Sequence, residues 1–244
     1  MSPAGVLTLY THTLCPYAHR AAIALCEKGL KPSEFERQID LSNKPQSFLR
    51  VNPRGLVPAL EHDGKVVTES LRIIAYVDEM GTLPRERGSL TRAGPRDEIL
   101  EFVDACDGYG GFISAGLSFV GGGWGFKRGA PRPSTQEHLE AEVSRLDSLL
   151  QSSGGEFLFG PEPSLADIAV FPFAERFQLA MREFQGYDLG AAQGADAFVV
   201  WMAAMAARDS VKLLRPDDEK LLASWRRTSR LDYFDYETAS REEP

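Results

Sequence analysis

The chain has 244 residues, of which 43% are apolar and 25% are charged, as in an ordinary soluble globular protein with one or two domains. Its formal net charge of -8 argues against a nucleic-acid partner, because proteins that bind nucleic acids usually present a basic surface. No apolar run approaches the ~20 residues that a membrane span requires, so we expect no membrane among its partners.

The cysteine content indicates a reducing compartment. The three cysteines are Cys15, Cys26 and Cys106, and an odd number makes a disulfide framework improbable. A strand pattern begins at about residue 6, which leaves no room for a signal or transit peptide. Together these observations predict a cytoplasmic localisation.

Strand and helix patterns alternate over residues 1 to about 80. Their order is β-α-β-α-β-β-α, which describes a small α/β domain of the thioredoxin type. The predicted elements are strands at 6–10, 35–41, 56–61 and 65–68, helices at 18–28 and 69–80, and a helical turn at 45–50.

Two turn signals help to place the third and fourth strands. Asp63-Gly64 between them is a typical two-residue hairpin turn. Pro58 lies within the third strand pattern, where proline is normally excluded because it has no N–H to donate. Pro58 therefore predicts a bend at the start of that strand, with a cis peptide bond that turns the backbone of Val57 outward.

The remainder of the chain follows a helical pattern. The stretch 82–94 is rich in glycine, proline and charge and is predicted to be a linker, and 121–134 is predicted to be a loop. The chain thus divides into a thioredoxin-like domain at 1–81, the linker at 82–94 and an all-α domain at 95–244. The predicted helices cover 96–118, 135–150, 195–208 and 217–227, and one more begins at a capping box of Ser164 and Asp167.

Cys15 is the candidate nucleophile, because it lies between the first strand and the first helix. Pro16 suits the first position of a helix, which places the thiol beside unpaired backbone N–H groups and the positive end of the helix dipole. Lowering a cysteine pKa by about 2 units takes roughly 2.7 kcal/mol, which these groups can supply. The sequence therefore favours a reactive thiolate at this position.

The other interpretations of the three cysteines assign them no reactivity. An inert, buried cysteine is the alternative for Cys15. Cys26 and Cys106 lie in helical patterns and are predicted to pack in the core. Position 18 is alanine, so Cys15 has no C-x-x-C partner and its reductant is expected to be an external thiol. No metal site is predicted.

Three segments resemble the glutathione transferase superfamily: CPYAHR at 15–20, NKPQSFLRVNPRGLVPALEHDGKVVTES at 43–70 and SLADIAVFPFAERFQ at 164–178. Among its members with a cysteine nucleophile, the chain is most similar to the plant lambda class and also resembles the omega class and the dehydroascorbate reductases. The resemblance implies the glutathione transferase fold, a thioredoxin-like N-terminal α/β domain plus an all-α C-terminal domain. It also implies glutathione as the co-substrate, bound by the N-terminal domain.

The same resemblance implies further residues of the glutathione site. Glu69 and Ser70 match the pair that holds the γ-glutamyl end of glutathione. The chemistry of the two residues supports this match, since Ser70 at a helix start suits a carboxylate and Glu69 can pair with an ammonium group. A plain helix cap is the alternative for this pair. Val57, before Pro58, matches the residue whose backbone binds the cysteinyl part of glutathione. Lys44 matches a basic residue near the glycyl carboxylate, with a solvated surface charge as the alternative.

His19 lies one turn after Cys15 and could polarise the thiol, but we expect it to be an exposed helix residue.

The leading functional hypothesis is a glutathione-dependent thiol transferase that removes glutathione from substrates through a mixed disulfide of Cys15 and glutathione. Glutathione conjugation and dehydroascorbate reduction are alternative activities.

A non-catalytic binding protein for aromatic or flavonoid-type ligands is a further alternative. Its cleft would be lined by Phe112, Trp124, Phe126 and Phe173. The expected partners are glutathione and a small aromatic or glutathionylated substrate. The resemblance leaves a monomer and a homodimer both open.

Overall fold

The structure is a computed structural model that describes residues 6–80, 89–91, 94–121 and 132–228. Most of the predicted linker at 82–94, the Gly-rich segment with Trp124 and Phe126, and the tail after Thr228 lie outside these residues. The described residues divide into two compact units. The first contains the residues up to Ser89 together with Leu213–Arg215, and the second contains Leu90–Lys212 and the residues from Pro216 onward.

The first unit has the predicted alternation of strands and helices, with one additional short helix, α2. A four-stranded sheet is accompanied by four helices. In chain order the elements are β1 (Leu7–Thr11), α1 (Pro16–Glu27), α2 (Pro32–Phe35), β2 (Glu36–Gln38), α3 (Gln46–Val51), β3 (Ala59–His62), β4 (Lys65–Thr68) and α4 (Ser70–Glu79).

The sheet has the strand order β2-β1-β3-β4, in which β1 is parallel to β2 and antiparallel to β3. Leu9 of β1 lies opposite Leu60 of β3, and both side chains are fully buried. The predicted hairpin between β3 and β4 is confirmed: Asp63 and Gly64 both have positive φ angles, of 50° and 80°. Positive φ at both central residues is what a type I′ turn requires, and glycine adopts it readily.

Helices α1 and α4 pack side by side in the first unit. At their C-terminal ends, the buried Lys28 ammonium lies 3.4 Å from the Asp78 carboxylate and also donates to the Asp78 carbonyl. Near their N-terminal ends, Arg20 of α1 donates to Ser70 of α4. Contacts at both ends require the two helices to run in the same direction, so their N-termini lie at one end of the unit.

The described residues of the second unit form helices and contain no strand. It contains the two longest helices, α7 and α8, and no helix among the described residues is both long and apolar enough to cross a membrane. The helices are α5 (Arg96–Ala105), α6 (Phe112–Val120), α7 (Pro133–Ser152), α8 (Leu165–Gln185), α9 (Asp196–Ala207), α10 (Asp209–Lys212) and α11 (Asp218–Thr228), with a 3₁₀ turn at Leu189–Ala191.

The prediction of one helix over 96–118 is wrong, because α5 ends at Ala105 and α6 begins at Phe112. The break contains Gly108, Gly110 and Gly111, and Gly110 adopts a φ of 88°. Each glycine within a helix costs about 1 kcal/mol relative to alanine, so three of them in four residues favour a turn.

The predicted capping box at the start of α8 is confirmed. Ser164 accepts a hydrogen bond from the Ala166 N–H, and the Asp167 carboxylate accepts one from the Ser164 N–H. Asp167 is completely buried and also accepts hydrogen bonds from the Leu158 N–H and the Trp201 indole. This carboxylate therefore links α8 to α9 and to the segment that precedes α8.

Candidate active site around Cys15

Cys15 occupies the position that the sequence predicts, directly before α1 and with Pro16 as the first residue of the helix. Its N–H donates to the His12 carbonyl across 2.9 Å, which closes a tight turn after β1. Only 1% of the residue is exposed, and its Sγ lies 3.9 Å from the Val57 carbonyl oxygen. The thiol is thus held at the positive end of a helix and beside the segment that leads into β3.

The other two cysteines differ from Cys15. All three lie among the described residues, and none forms a disulfide. Cys26 is buried in α1, where desolvation, with additional contributions from Glu27 and Glu36, raises the pKa of its thiol to about 12. Cys106 is also buried, as predicted, and its Sγ lies 3.7 Å from Asp107 Oδ1.

Val57 and Pro58 are joined by a cis peptide bond, which confirms that prediction. Pro58 is buried, and Val57 packs against the cluster formed by Tyr10, Ile39, Phe48 and Ala59. Because the Val57 side chain is held by this cluster, its backbone carbonyl has a defined position beside the Cys15 thiol. The structure thus brings two of the predicted site residues together.

Glu69 stands at the N-cap of α4, but its side chain makes no capping hydrogen bond. Its carboxylate pairs instead with Arg54, with 2.6 Å between Oε1 and Nη1. The backbone at Glu69 has a φ of 67° and a ψ of 119°, which a residue other than glycine rarely adopts. Such strain, of about 1–3 kcal/mol, is typical of functional sites.

Ser70, the first residue of α4, is buried and accepts a hydrogen bond of 3.1 Å from Nη1 of Arg20. Arg20 is fully buried, and its guanidinium carbon lies 5.5 Å from the centroid of the Tyr17 ring. A plain helix cap therefore does not account for the contacts of Glu69 and Ser70, because the side chain of each is bound by an arginine.

Sequence reasoning missed Arg20 and Arg54. The available signal for Arg20 was an arginine preceding the apolar run AAIALC.

The first unit also contains Lys44 and His19, the two other residues that the sequence analysis considers for the site. Lys44 is partly buried in the loop between β2 and α3, and its part in a glutathione site stays a prediction. The expectation that His19 is exposed is wrong, since it is 4% exposed. It lines a cavity of about 200 Å³ together with His12 and Gln38. Eleven of the twelve residues of α1 are buried, and His19 is among them.

The arrangement offers three kinds of chemistry. Cys15 can act as a nucleophile, the Glu69 carboxylate can bind an ammonium group, and Ser70 at the start of α4 can bind an anion. Together these groups suit a ligand that has a reactive sulfur, an ammonium group and a carboxylate.

Comparisons with known proteins agree with this architecture. Residues 14–80 match the family model described as glutathione S-transferase, N-terminal domain, and residues 130–204 match the corresponding C-terminal domain. The chain is 32% identical to glutathione S-transferase L1 of Arabidopsis thaliana, over 91% of this chain and 87% of that protein. It is 30% identical to glutathione S-transferase omega-1 of Mus musculus, over 83% of this chain and 78% of that protein.

A solved structure extends the comparison to the fold. Glutathione transferase Omega 3C of Trametes versicolor matches 87% of this chain and 90% of its own, with a TM-score of 0.70 and 30% identity. A thioredoxin-like sheet unit followed by a helical unit is thus the architecture of a glutathione transferase. The chain belongs to the glutathione S-transferase family, and its relatives include lambda-class and omega-class members. The predicted family, fold, enzyme class and glutathione as co-substrate are confirmed.

Proposed function

We propose that this glutathione transferase is a thiol transferase that removes glutathione from mixed disulfides through Cys15. The observation that carries the proposal is the position of the Cys15 thiol, at the start of α1 and 3.9 Å from the Val57 carbonyl. In the proposed complex, the Val57 backbone pairs with the cysteinyl part of glutathione. This pairing would direct the sulfur of glutathione toward Cys15.

The proposed reaction has two disulfide exchanges. The Cys15 thiolate attacks the glutathione sulfur of a mixed disulfide, a new bond forms between Cys15 and glutathione, and the substrate leaves as a thiolate that takes a proton from water. A second glutathione thiolate then attacks the bound glutathione sulfur and releases Cys15. One glutathione thiol is thereby joined to the glutathionyl group taken from the mixed disulfide, so oxidised glutathione leaves, Cys15 returns to its thiolate and the substrate is released as its thiol.

The remaining site residues supply binding in this proposal. Glu69 binds the ammonium of the γ-glutamyl group, and Ser70 binds its carboxylate. Lys44 binds the glycyl carboxylate, and Pro58 fixes the direction of the Val57 backbone. We further propose that the protein works in the cytoplasm, where a reducing environment keeps Cys15 as a thiol.

The structure favours this activity over an aromatic binding protein. Phe112 and Phe173 were candidates for lining a cleft, but both are buried in the second unit, where each ring packs against Phe177. Trp124 and Phe126 lie outside the described residues. Conjugation is less favourable, because it requires a stabilised glutathione thiolate, and a Cys15 thiolate beside the glutathione sulfur would disfavour a second negative charge there.

Mass spectrometry of the intact protein tests the proposal. The reduced parent is incubated with oxidised glutathione, and we expect one glutathione adduct that reduced glutathione removes. Cys15→Ser should form no adduct, and Cys106→Ser, the matched control, should form the same adduct as the parent. Both the parent and Cys106→Ser should reduce the mixed disulfide of glutathione and 2-mercaptoethanol. An adduct that persists in Cys15→Ser, or conjugation of a chlorinated aromatic that survives in it, would contradict the proposal.

A further inference from the structure

We propose that Arg20 is a positioning residue that fixes the Ser70 hydroxyl as a hydrogen-bond donor, so that this part of the site selects a carboxylate. The inference rests on the proposed function, in which Ser70 binds the γ-glutamyl carboxylate of glutathione. It adds a reason why a charged carboxylate is preferred there, and it assigns that selectivity to Arg20, a buried residue of α1.

The direction of the hydrogen bond carries the argument. An arginine side chain has donors only, whereas a serine hydroxyl has one proton and two acceptor lone pairs. Arg20 Nη1 lies 3.1 Å from Ser70 Oγ, so the hydroxyl oxygen must be the acceptor of this bond. The single proton of Ser70 then points to some other acceptor. The hydroxyl then offers this proton and one remaining lone pair, and the nearby guanidinium charge makes an acceptor, above all an anionic one, the favoured partner.

Burial strengthens this effect. Arg20 is 0% exposed and Ser70 is 6% exposed, so little water screens the guanidinium charge from the hydroxyl. Arginine stays protonated in proteins, so this direction does not change with pH in the ordinary range. The guanidinium contacts Ser70 at the start of α4, a ten-residue helix whose dipole also favours an anion.

Glu69 adds the complementary half of the recognition. Its side chain does not cap α4 and is 54% exposed, so a second oxygen remains accessible beside the one that pairs with Arg54. A group with an ammonium next to a carboxylate fits a negative Glu69 followed by a donating Ser70. The γ-glutamyl end of glutathione has this character. An analogue in which that carboxylate is an amide would place an N–H₂ group or a weaker acceptor against the Ser70 proton.

Calorimetry with S-methylglutathione tests the inference, because its capped sulfur cannot form a disulfide with Cys15. The parent should bind it at least tenfold more tightly than the analogue whose γ-glutamyl carboxylate is an amide, as expected for a hydrogen bond to a charged group. Arg20→Lys retains a donor-only cation and should keep the preference. Arg20→Gln should lose most of it, because a glutamine amide can accept the Ser70 proton. Ser70→Ala should lose it as well.

A merely structural Arg20 would give another result. Arg20→Gln would then unfold at a lower temperature but would keep the parent's ratio of the two dissociation constants, which would overturn the inference. Because the buried variants can fail to fold, a neutron crystal structure of the parent provides a second test. With S-methylglutathione bound, the Ser70 proton should be directed at the γ-glutamyl carboxylate, and one directed at a protein acceptor would overturn the inference.

The outcomes separate this inference from the proposed function. If Cys15 forms no glutathione adduct but the carboxylate preference depends on Arg20, the thiol-transfer proposal is wrong and the inference stands. If the adduct forms but the preference does not depend on Arg20, the inference is wrong and the thiol-transfer proposal stands.

Discussion

The carboxylate of Glu69 pairs with Arg54 across 2.6 Å instead of capping α4, although Glu69 stands at the N-cap of that helix. A capping residue normally has an extended backbone, whereas Glu69 has a φ of 67°. The local structure therefore gives up a stabilising cap and adopts a strained backbone, while the carboxylate is directed at the surface. This combination is expected where the side chain serves a ligand rather than the stability of the helix.

We predict that Glu69→Gly stabilises the protein and weakens glutathione binding. Relief of about 1–3 kcal/mol of backbone strain, offset by the entropy of glycine, should raise the free energy of unfolding by about 1 kcal/mol. Loss of the carboxylate should weaken S-methylglutathione binding about tenfold or more. Urea titration and calorimetry measure the two effects. Glu69→Gln is the control, which should weaken binding without the gain in stability. A Glu69→Gly variant less stable than Glu69→Gln would show that this φ angle carries no strain.

Two ion pairs of the first unit should differ in their effect on stability. Arg54 and Glu69 have side chains 38% and 54% exposed, so Arg54→Met should change the free energy of unfolding by less than about 1 kcal/mol. Lys28 and Asp78 are 9% and 3% exposed, and Lys28→Met should cost about 3 kcal/mol because it leaves the Asp78 carboxylate buried without its ammonium. Urea titration of both variants tests this contrast. Similar losses in the two variants would contradict it.

Local sequence chemistry was sufficient to predict much of the first unit. The Asp63-Gly64 turn, the cis bond before Pro58 and the helix start at Pro16 each depend on residues that are adjacent in the chain. The position of Cys15 before α1 followed from the same kind of signal. These features are encoded by residues with strong conformational preferences, so the rest of the fold need not be known.

The features that sequence reasoning missed depend on contacts between residues distant in the chain, or on a break that a continuous helical pattern conceals. Arg20 and Ser70 are 50 positions apart, and no local pattern indicates that they meet. The sequence predicts His19 to be an exposed helix residue, but packing around α1 buries it. The helical pattern over 96–118 continues on both sides of Gly108–Gly111, so periodicity alone concealed the break between α5 and α6.

Asp167 should be among the most sensitive positions for stability in the second unit. Burial raises the pKa of its carboxyl, while hydrogen bonds from the Leu158 N–H, the Ser164 N–H and hydroxyl, and the Trp201 indole act in the opposite direction. Asp167→Ala would leave these buried donors without their acceptor and should cost about 3 kcal/mol or more. Urea titration followed by tryptophan fluorescence measures the loss. Asp167→Asn, which keeps one acceptor oxygen, should be less destabilised, and equal losses would contradict this explanation.

Cys26 should make the protein lose stability in alkali. Its pKa is raised to about 12 in the folded chain from a reference value of 9.0, chiefly by burial, so above pH 9 the unfolded chain releases a proton that the folded chain retains. The Cys26 thiol therefore does not lower the free energy of unfolding below pH 9. As pH rises from 9 toward 12, the free energy of unfolding falls by about 1.4 kcal/mol per pH unit. Because Tyr10 and Tyr187 also have raised pKa values, the test is the difference between the parent and Cys26→Ala in urea titrations from pH 8 to 11. The parent should lose stability more steeply than Cys26→Ala, and parallel curves would show that Cys26 ionises in the folded protein as readily as in the unfolded chain.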